Sequence, residues 1–246
     1  MIFERIVCGV DGWPASFEAL RQAAVLRSDA GRIVAMTVRE DGVDERADAA
    51  GESTRDLVRD VPLAEARVVD GAPVPSLLAA LDRESATLLA VGTHGGGRQA
   101  GKLLGGVATS MLQQAPCSVL VARPSGDTPW SPDRIVVGMD GSREALIAAV
   151  VAAELGDRPG AAVRTIAAEG GPRVDRPVLN EIDDVHRVPG HPVGALVDAS
   201  RQADLVVVGS RGLRAFEALG SVSERVAHQA RCSVLVIRPD RPEEEP

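Results

Sequence analysis

The sequence predicts an α/β fold built twice in tandem, each unit a doubly wound parallel sheet covered by helices on both faces. Three observations carry that prediction. Short β-branched runs alternate with helical stretches, the runs are continuously apolar rather than alternating, and the second half of the chain repeats the first. Continuous apolar strands belong to parallel sheets buried on both faces, and strand–helix alternation with right-handed crossovers produces the doubly wound arrangement.

The repeat organises everything else. Glu4-Arg-Ile-Val-Cys-Gly-Val-Asp-Gly-Trp13 returns as Asp133-Arg-Ile-Val-Val-Gly-Met-Asp-Gly-Ser142, and Ala115-Pro-Cys-Ser-Val-Leu-Val-Ala-Arg-Pro124 returns as Ala230-Arg-Cys-Ser-Val-Leu-Val-Ile-Arg-Pro239. Between these matches, Gly71-Ala-Pro73 corresponds to Gly190-His-Pro192 and Gly92 to Gly209. The expected division is 1–124 for the first unit, a Ser/Gly/Pro/Asp-rich linker at 125–132, 133–240 for the second unit, and an acidic solvated tail at 241–246.

In the first unit the strands read Arg5 to Val10, Ile33 to Val38, Ala66 to Val69, Leu88 to Val91 and Ser118 to Ala122. Helices between them are marked by 3.6-residue spacing, as in Phe17, Leu20 and Ala24 or Leu77, Leu78 and Leu81. The offset between equivalent positions falls from 129 at Asp11/Asp140 to 119 at Gly71/Gly190 and 115 at Cys117/Cys232, so the second unit is 14 residues shorter. Most of the loss falls where the first unit carries the Ala-rich Asp44 to Asp60. The second has Glu169-Gly-Gly-Pro-Arg-Val-Asp-Arg-Pro there, whose glycines and prolines oppose a helix. One helix is expected to be missing.

Composition excludes several functions. The 246 residues carry 27 Lys+Arg against 35 Asp+Glu, a net charge of -8, which is wrong for a general nucleic-acid binder. Three Phe, two Trp and no Tyr leave little for base stacking. No apolar run approaches the roughly 20 residues of a membrane span, and the N-terminus does not read as a signal peptide, so a cytoplasmic protein is expected. Cys8, Cys117 and Cys232 lie singly in apolar runs and read as inert buried thiols.

In a doubly wound sheet the ligand crevice lies past the carboxyl ends of the strands where the winding reverses, which selects the loops after strands one and four. These hold Asp11-Gly12 and the run Gly92 to Gly106, with seven glycines in fifteen positions. Glycines let the backbone approach a ligand and turn N–H groups inward, and a helix starting near Gly105 adds its dipole, so the run suits phosphate. Arg98 and the single lysine, Lys102, supply charge. The segment is neither a dinucleotide-binding turn nor a P-loop. His94 and His191 have no partners at metal-ligand spacing, and no nucleophile elbow or paired His–carboxylate motif appears.

Gly92-x-x-Gly95, nine residues, then Gly105, taken with the strand-end Val-Asp-Gly, the Gly-x-Pro turn and the terminal Cys-Ser-Val-Leu-Val-x-Arg-Pro, resembles the universal stress protein family over nearly the whole chain. The resemblance implies Rossmann-like units with strand order 3-2-1-4-5. In one subclass it also implies bound ATP, adenine beside the Asp after strand one and phosphates on the glycine loop. Carried over, the first site comprises Asp11, Val38, Gly92, Gly95, Gly105, Gly106 and Val107, with Gly106 replacing the Ser or Thr whose hydroxyl bonds phosphate. The second comprises Asp140, Gly209, Gly212, Gly220, Ser221 and Val222. It keeps the hydroxyl, but its loop is two residues shorter and carries Glu217 where an anion would approach.

The resemblance implies a regulator responsive to ATP or another adenine nucleotide, with or without Mg, and favours the first site. A scaffold that binds no nucleotide and a weak ATPase remain open alternatives, as does the plain reading of Asp11 and Asp140 as turn residues. It also implies that Ser118 to Ala122 and Ser233 to Ile237 pair within one chain, with further pairing of two chains left open and the protein partner unspecified.

Overall fold

A computed structural model describes residues 3–40, 45–59, 61–93, 104–124, 126, 129–157, 160–170, 184–210 and 222–239. The first repeat contains β1 (Phe3–Gly9), α1 (Pro14–Leu26), β2 (Arg27–Arg39), α2 (Glu45–Arg59), β3 (Ala64–Asp70), α3 (Pro73–Arg83), β4 (Leu88–Gly92), α4 (Gly106–Gln114) and β5 (Ser118–Ala122). The second contains β6 (Arg134–Gly138), α5 (Arg143–Gly156), β7 (Ala162–Ala168), β8 (Val185–Val188), α6 (Pro192–Ala199), β9 (Leu205–Gly209), α7 (Val222–Gln229) and β10 (Ser233–Ile237). A helix corresponding to α2 would fall within 171–183, outside the described residues.

All ten strands join one sheet in the order β3-β2-β1-β4-β5-β10-β9-β6-β7-β8. Neighbours are parallel within each repeat, and β5 meets β10 antiparallel with Leu120 opposite Leu235. The carboxyl ends of the two sets of strands therefore open on opposite edges of the sheet.

Alternation along the strands sorts the core into two layers. Val7, Leu89, Val119 and Val121 on one face pack with the apolar sides of α3 and α4, and the same layer continues through Val234 and Val236 to Leu196 of α6 and Val226 of α7. Ile6, Cys8, Leu88, Ala90 and Leu120 on the other face pack with Leu20 and Ala23 of α1, and this layer reaches Leu235 and Ala148 of α5. Both layers cross the junction between repeats. Strands β5 and β10 are buried along their whole length, which is why each reads as a continuous apolar run.

Local signals set the helix starts. Pro14 occupies the first turn of α1, Pro73 that of α3 and Pro192 that of α6, where a missing N–H costs nothing. Ser142 caps α5 by accepting from the Ala145 N–H. Strand β2 differs from expectation: it begins at Arg27, directly after α1, and its register slips between the Phe3↔Arg27 and Arg5↔Arg32 pairs. That irregularity admits the polar stretch ahead of Ile33, which periodicity alone reads as loop. Within the linker, Trp130 is buried and its indole N–H donates to the Asp204 carbonyl at 3.3 Å.

The junction carries two reciprocal arginine anchors. Arg123, just after β5, donates to the carbonyls of Ala227 at 2.6 Å and Cys232 at 3.1 Å, and its own N–H meets Ser233 Oγ at 3.0 Å. Arg238, just after β10, donates to the carbonyls of Leu112 and Ala115, and its N–H meets Ser118 Oγ at 3.1 Å. Each guanidinium thus reaches the C-terminal end of a helix in the other repeat, at the negative end of its dipole. Burial pulls Arg123 down to about 10, and it stays charged at neutral pH. Gln22 adds a cross-repeat link: its Oε1 accepts from Ser233 Oγ at 2.7 Å while its Nε2 donates to the Arg123 carbonyl at 2.9 Å.

Burial also raises the Cys8 thiol, and pushes Cys232 up to about 12, so neither is a thiolate at neutral pH. Among the described residues no helix is long and apolar enough to cross a membrane, and no group of three or more His, Cys, Asp or Glu is placed to hold a metal.

Two stability predictions follow from these contacts. Arg238→Ala should destabilise by about 1.5–3 kcal/mol, the scale of hydrogen bonds to a charged group, with Arg238→Lys recovering only part because an ammonium lacks the fork; equal urea midpoints for wild type and Arg238→Ala would refute the anchor. Glu84, nearly buried, accepts from Arg67 at 2.7 Å and pairs with Arg32 at 3.2 Å, and the Arg67 hydrogen bond holds its carboxyl below the usual range. A depressed folded value means stability that is complete above the unfolded value of about 4.3 and fades as pH falls through the lower native value. The urea-midpoint gap between wild type and Glu84→Gln should therefore be wide at neutral pH and close in acid.

Candidate functional site

At the carboxyl end of β1, the Val10 N–H donates to the Met36 carbonyl at 2.9 Å, carrying the strand pairing one residue further. Asp11 then turns out to solvent. Its Oδ1 accepts from the Trp13 N–H at 3.1 Å, and its own N–H donates to Ser16 Oγ at 3.2 Å. Gly12, at φ +83°, supplies the left-handed step that lets the carboxylate fold back over the turn. Asp140 repeats the device, accepting from the Ser142 N–H at 3.0 Å with Gly141 at φ +79°. The turn role of both aspartates is thus visible. It occupies one carboxylate oxygen of each and leaves Asp11 Oδ2 without a hydrogen bond among the described residues.

Gly92 and Gly209 end the fourth strands of their repeats. A Cβ on Gly92 would lie 2.6 Å from the Ala15 carbonyl carbon, and one on Gly209 would lie 2.4 Å from that of Glu144. Both glycines therefore let the first turn of α1 or α5 press against the end of the sheet. Close backbone packing explains them without a ligand.

Past Gly92 the chain enters the glycine run. His94, Gly95, Arg98 and Lys102 lie outside the described residues, as do Arg211, Gly212, Glu217, Gly220 and Ser221 of the second loop. The ends of the first loop are placed: the Gly105 N–H donates to the carbonyl of buried Thr93 at 2.7 Å, pinning exit to entry. Gly105 is the N-cap of α4 and provides no side-chain cap, so the first-turn N–H groups keep their capacity for an anion. Among the described residues, a Cβ on Gly106 would meet nothing within 4 Å, leaving room for a hydroxyl at the position where the sequence has none. Val107 is half-buried against the core.

Because β1 pairs with both β2 and β4, one edge of the sheet gathers Asp11, Val38, Gly92 and the start of α4. The opposite edge gathers Asp140, Gly209 and Val222, the last half-buried at the start of α7.

Sequence reasoning missed the second repeat's hold on this region. The Leu104 N–H, one residue before the N-cap, meets His228 Nδ1 at 3.4 Å, and Gln113 Nε2 donates to Glu224 Oε1 at 3.0 Å. His228 sits in a polar helix with no motif around it.

Residues 2–123 and 172–238 match the model of the universal stress protein family. The chain is 30% identical over 207 residues to universal stress protein Rv2623 of Mycobacterium tuberculosis, covering 72% of this chain and 69% of that protein. It is 29% identical over 204 residues to universal stress protein Rv2005c of the same organism, covering 71% and 68%. Among solved structures, a universal stress protein from Archaeoglobus fulgidus superposes with TM-score 0.71 at 22% identity, over 98% of this chain and 97% of that one. A Pseudomonas aeruginosa protein described as functionally unknown superposes with TM-score 0.75 at 16% identity, over 97% and 93%.

Gly92→Ala is expected to lower stability by about 1–3 kcal/mol, because a methyl group must displace backbone rather than a side chain. Gly106→Ala should leave the melting temperature nearly unchanged, since that site is open. A reversed order in thermal melts would contradict the packing role of Gly92.

Proposed function

We propose, from the premise that this chain belongs to the universal stress protein family, that it is a regulatory protein responding to adenine nucleotide bound at the carboxyl edge of the first repeat. One observation carries this reading. The uncapped start of α4, reached through a glycine-rich loop whose ends are pinned by Gly105 and Thr93, shares an edge with Asp11. The helix N-terminus and loop N–H groups would take the phosphates, with Arg98 and Lys102 adding charge. Asp11 would face the nucleoside, through the oxygen its turn leaves open, with Val38 beside it.

The second repeat retains Ser221 but has a shorter loop with Glu217, which favours the first site for binding. The reading takes 1–124 and 133–240 as the two domains, paired within the chain, and places the protein in the cytoplasm. Nucleotide binding would shift a conformational or partner equilibrium by favouring one state, rather than serve turnover. A second reading, a scaffold that binds no nucleotide, draws support from Asp11, Asp140, Gly92 and Gly209, each of which has a structural role of its own.

Mass spectrometry of small molecules released on denaturation, followed by ATP calorimetry of the stripped chain, separates the two. The regulatory reading expects about one adenine nucleotide per chain, loss of binding in Gly95→Arg, and about tenfold or greater tightening in Gly106→Ser, the return for one hydrogen bond to a charged phosphate. No released nucleotide and no heat of binding would leave the scaffold.

A further inference from the structure

We propose that the second repeat carries a binding site for a small amphipathic carboxylate, in the groove between α6 and strands β6 to β8, away from the glycine loops. The groove has a volume of about 690 Å³, within the range of small-molecule sites. Its apolar wall includes Val136, Ile166 and Val188, and Arg164, His191 and Asp198 also line it.

Arg164 is the reason to assign a ligand. The pairings Val7↔Val34 and Val136↔Arg164 make Arg164 the counterpart of Val34, which is 2% exposed. Alternation puts Arg164 on the same face as Ile166, in the groove beside α6, where the first repeat has a buried aliphatic side chain. Arg164 is exposed at the groove and makes no hydrogen bond or ion pair among the described residues, so its guanidinium is open to a ligand. The neighbouring Arg134 is committed to Asp204 at 2.7 Å, and Asp198 to Arg201 at 3.6 Å.

The first repeat differs in the corresponding region. There Glu84 draws in Arg32 and Arg67. Register makes their counterparts Ala162 and His186, so that cluster has no equivalent to fill the second groove.

The chemistry of the lining narrows the ligand. Arg164, unpaired among the described residues, matches one carboxylate in a two-point hydrogen bond, and the apolar wall matches a hydrocarbon body. The Asp198 carboxylate disfavours a doubly charged phosphate. His191 also lines the groove, and with its Nδ1 accepting from the Val193 N–H at 3.4 Å its Nε2 is left for a second polar contact.

Calorimetry of the full chain with hexanoate, octanoate and decanoate tests the assignment, with octyl phosphate and octylamine as controls. Saturable binding with one carboxylate per chain is expected, tightening about fourfold per added methylene and unaffected by saturating ATP. Arg164→Val, which installs the first repeat's residue, should weaken octanoate at least tenfold without lowering the melting temperature. Arg164→Lys should weaken it less, and Asp198→Asn should strengthen it. Methyl NMR shifts should fall on Val136, Ile166 and Val188. Absence of saturable binding, equal affinity in Arg164→Val, displacement by ATP, or tighter binding of octyl phosphate or octylamine than octanoate would each overturn the proposal.

Discussion

Everything else in the molecule rests on the antiparallel meeting of β5 and β10. Two parallel sheets each ending in a fully apolar strand cannot leave those strands exposed, and pairing them hides both edges at once. Leu120 and Leu235 face each other across the junction and both are fully buried. Removing either side chain would open a cavity of the kind that costs about 2–5 kcal/mol in a packed core. Arg123 and Arg238 add direction to this apolar seam, since each binds carbonyls that only the other repeat presents.

The seam also determines how α4 is held. Arg238 binds its last carbonyls and His228 meets the N–H just before its N-cap, so the second repeat grips both ends of the helix whose start faces the first crevice. Within the first repeat, the Gly105–Thr93 hydrogen bond fixes the same start to the end of β4. Whatever binds at the glycine loop therefore meets a helix already oriented by the other half of the chain.

The sheet was legible because its signals are local and repeated. Apolar runs such as Ser118 to Ala122 are distinctive, and seeing each twice removed ambiguity. The start of β2 was not legible, because a polar strand beginning at the last turn of α1 breaks both length and periodicity expectations. At the site, Asp11, Gly92 and Gly105 could be picked out by type and spacing, but their reasons could not. Only the geometry reveals that Gly92 accommodates the Ala15 backbone and that Asp11 bonds the Trp13 N–H. In the sequence Arg123 and Arg238 are matched positions of the repeat and carry no further signal. A contact more than a hundred residues away leaves no trace in local pattern. The same holds for Trp130, which lies in a stretch that composition reads as linker and is packed as core.

Gln22 shows what covalent fusion permits. It bridges Ser233 and Arg123 from α1, while the equivalent position of α5 is Val151. In an assembly of two identical subunits every substitution is made on both sides of the axis, so a residue that suits one side must be tolerated on the other. A single chain is free of that duplication. Each half can drift alone, and a buried amide on one flank can answer an aliphatic on the other with no symmetry mate to satisfy.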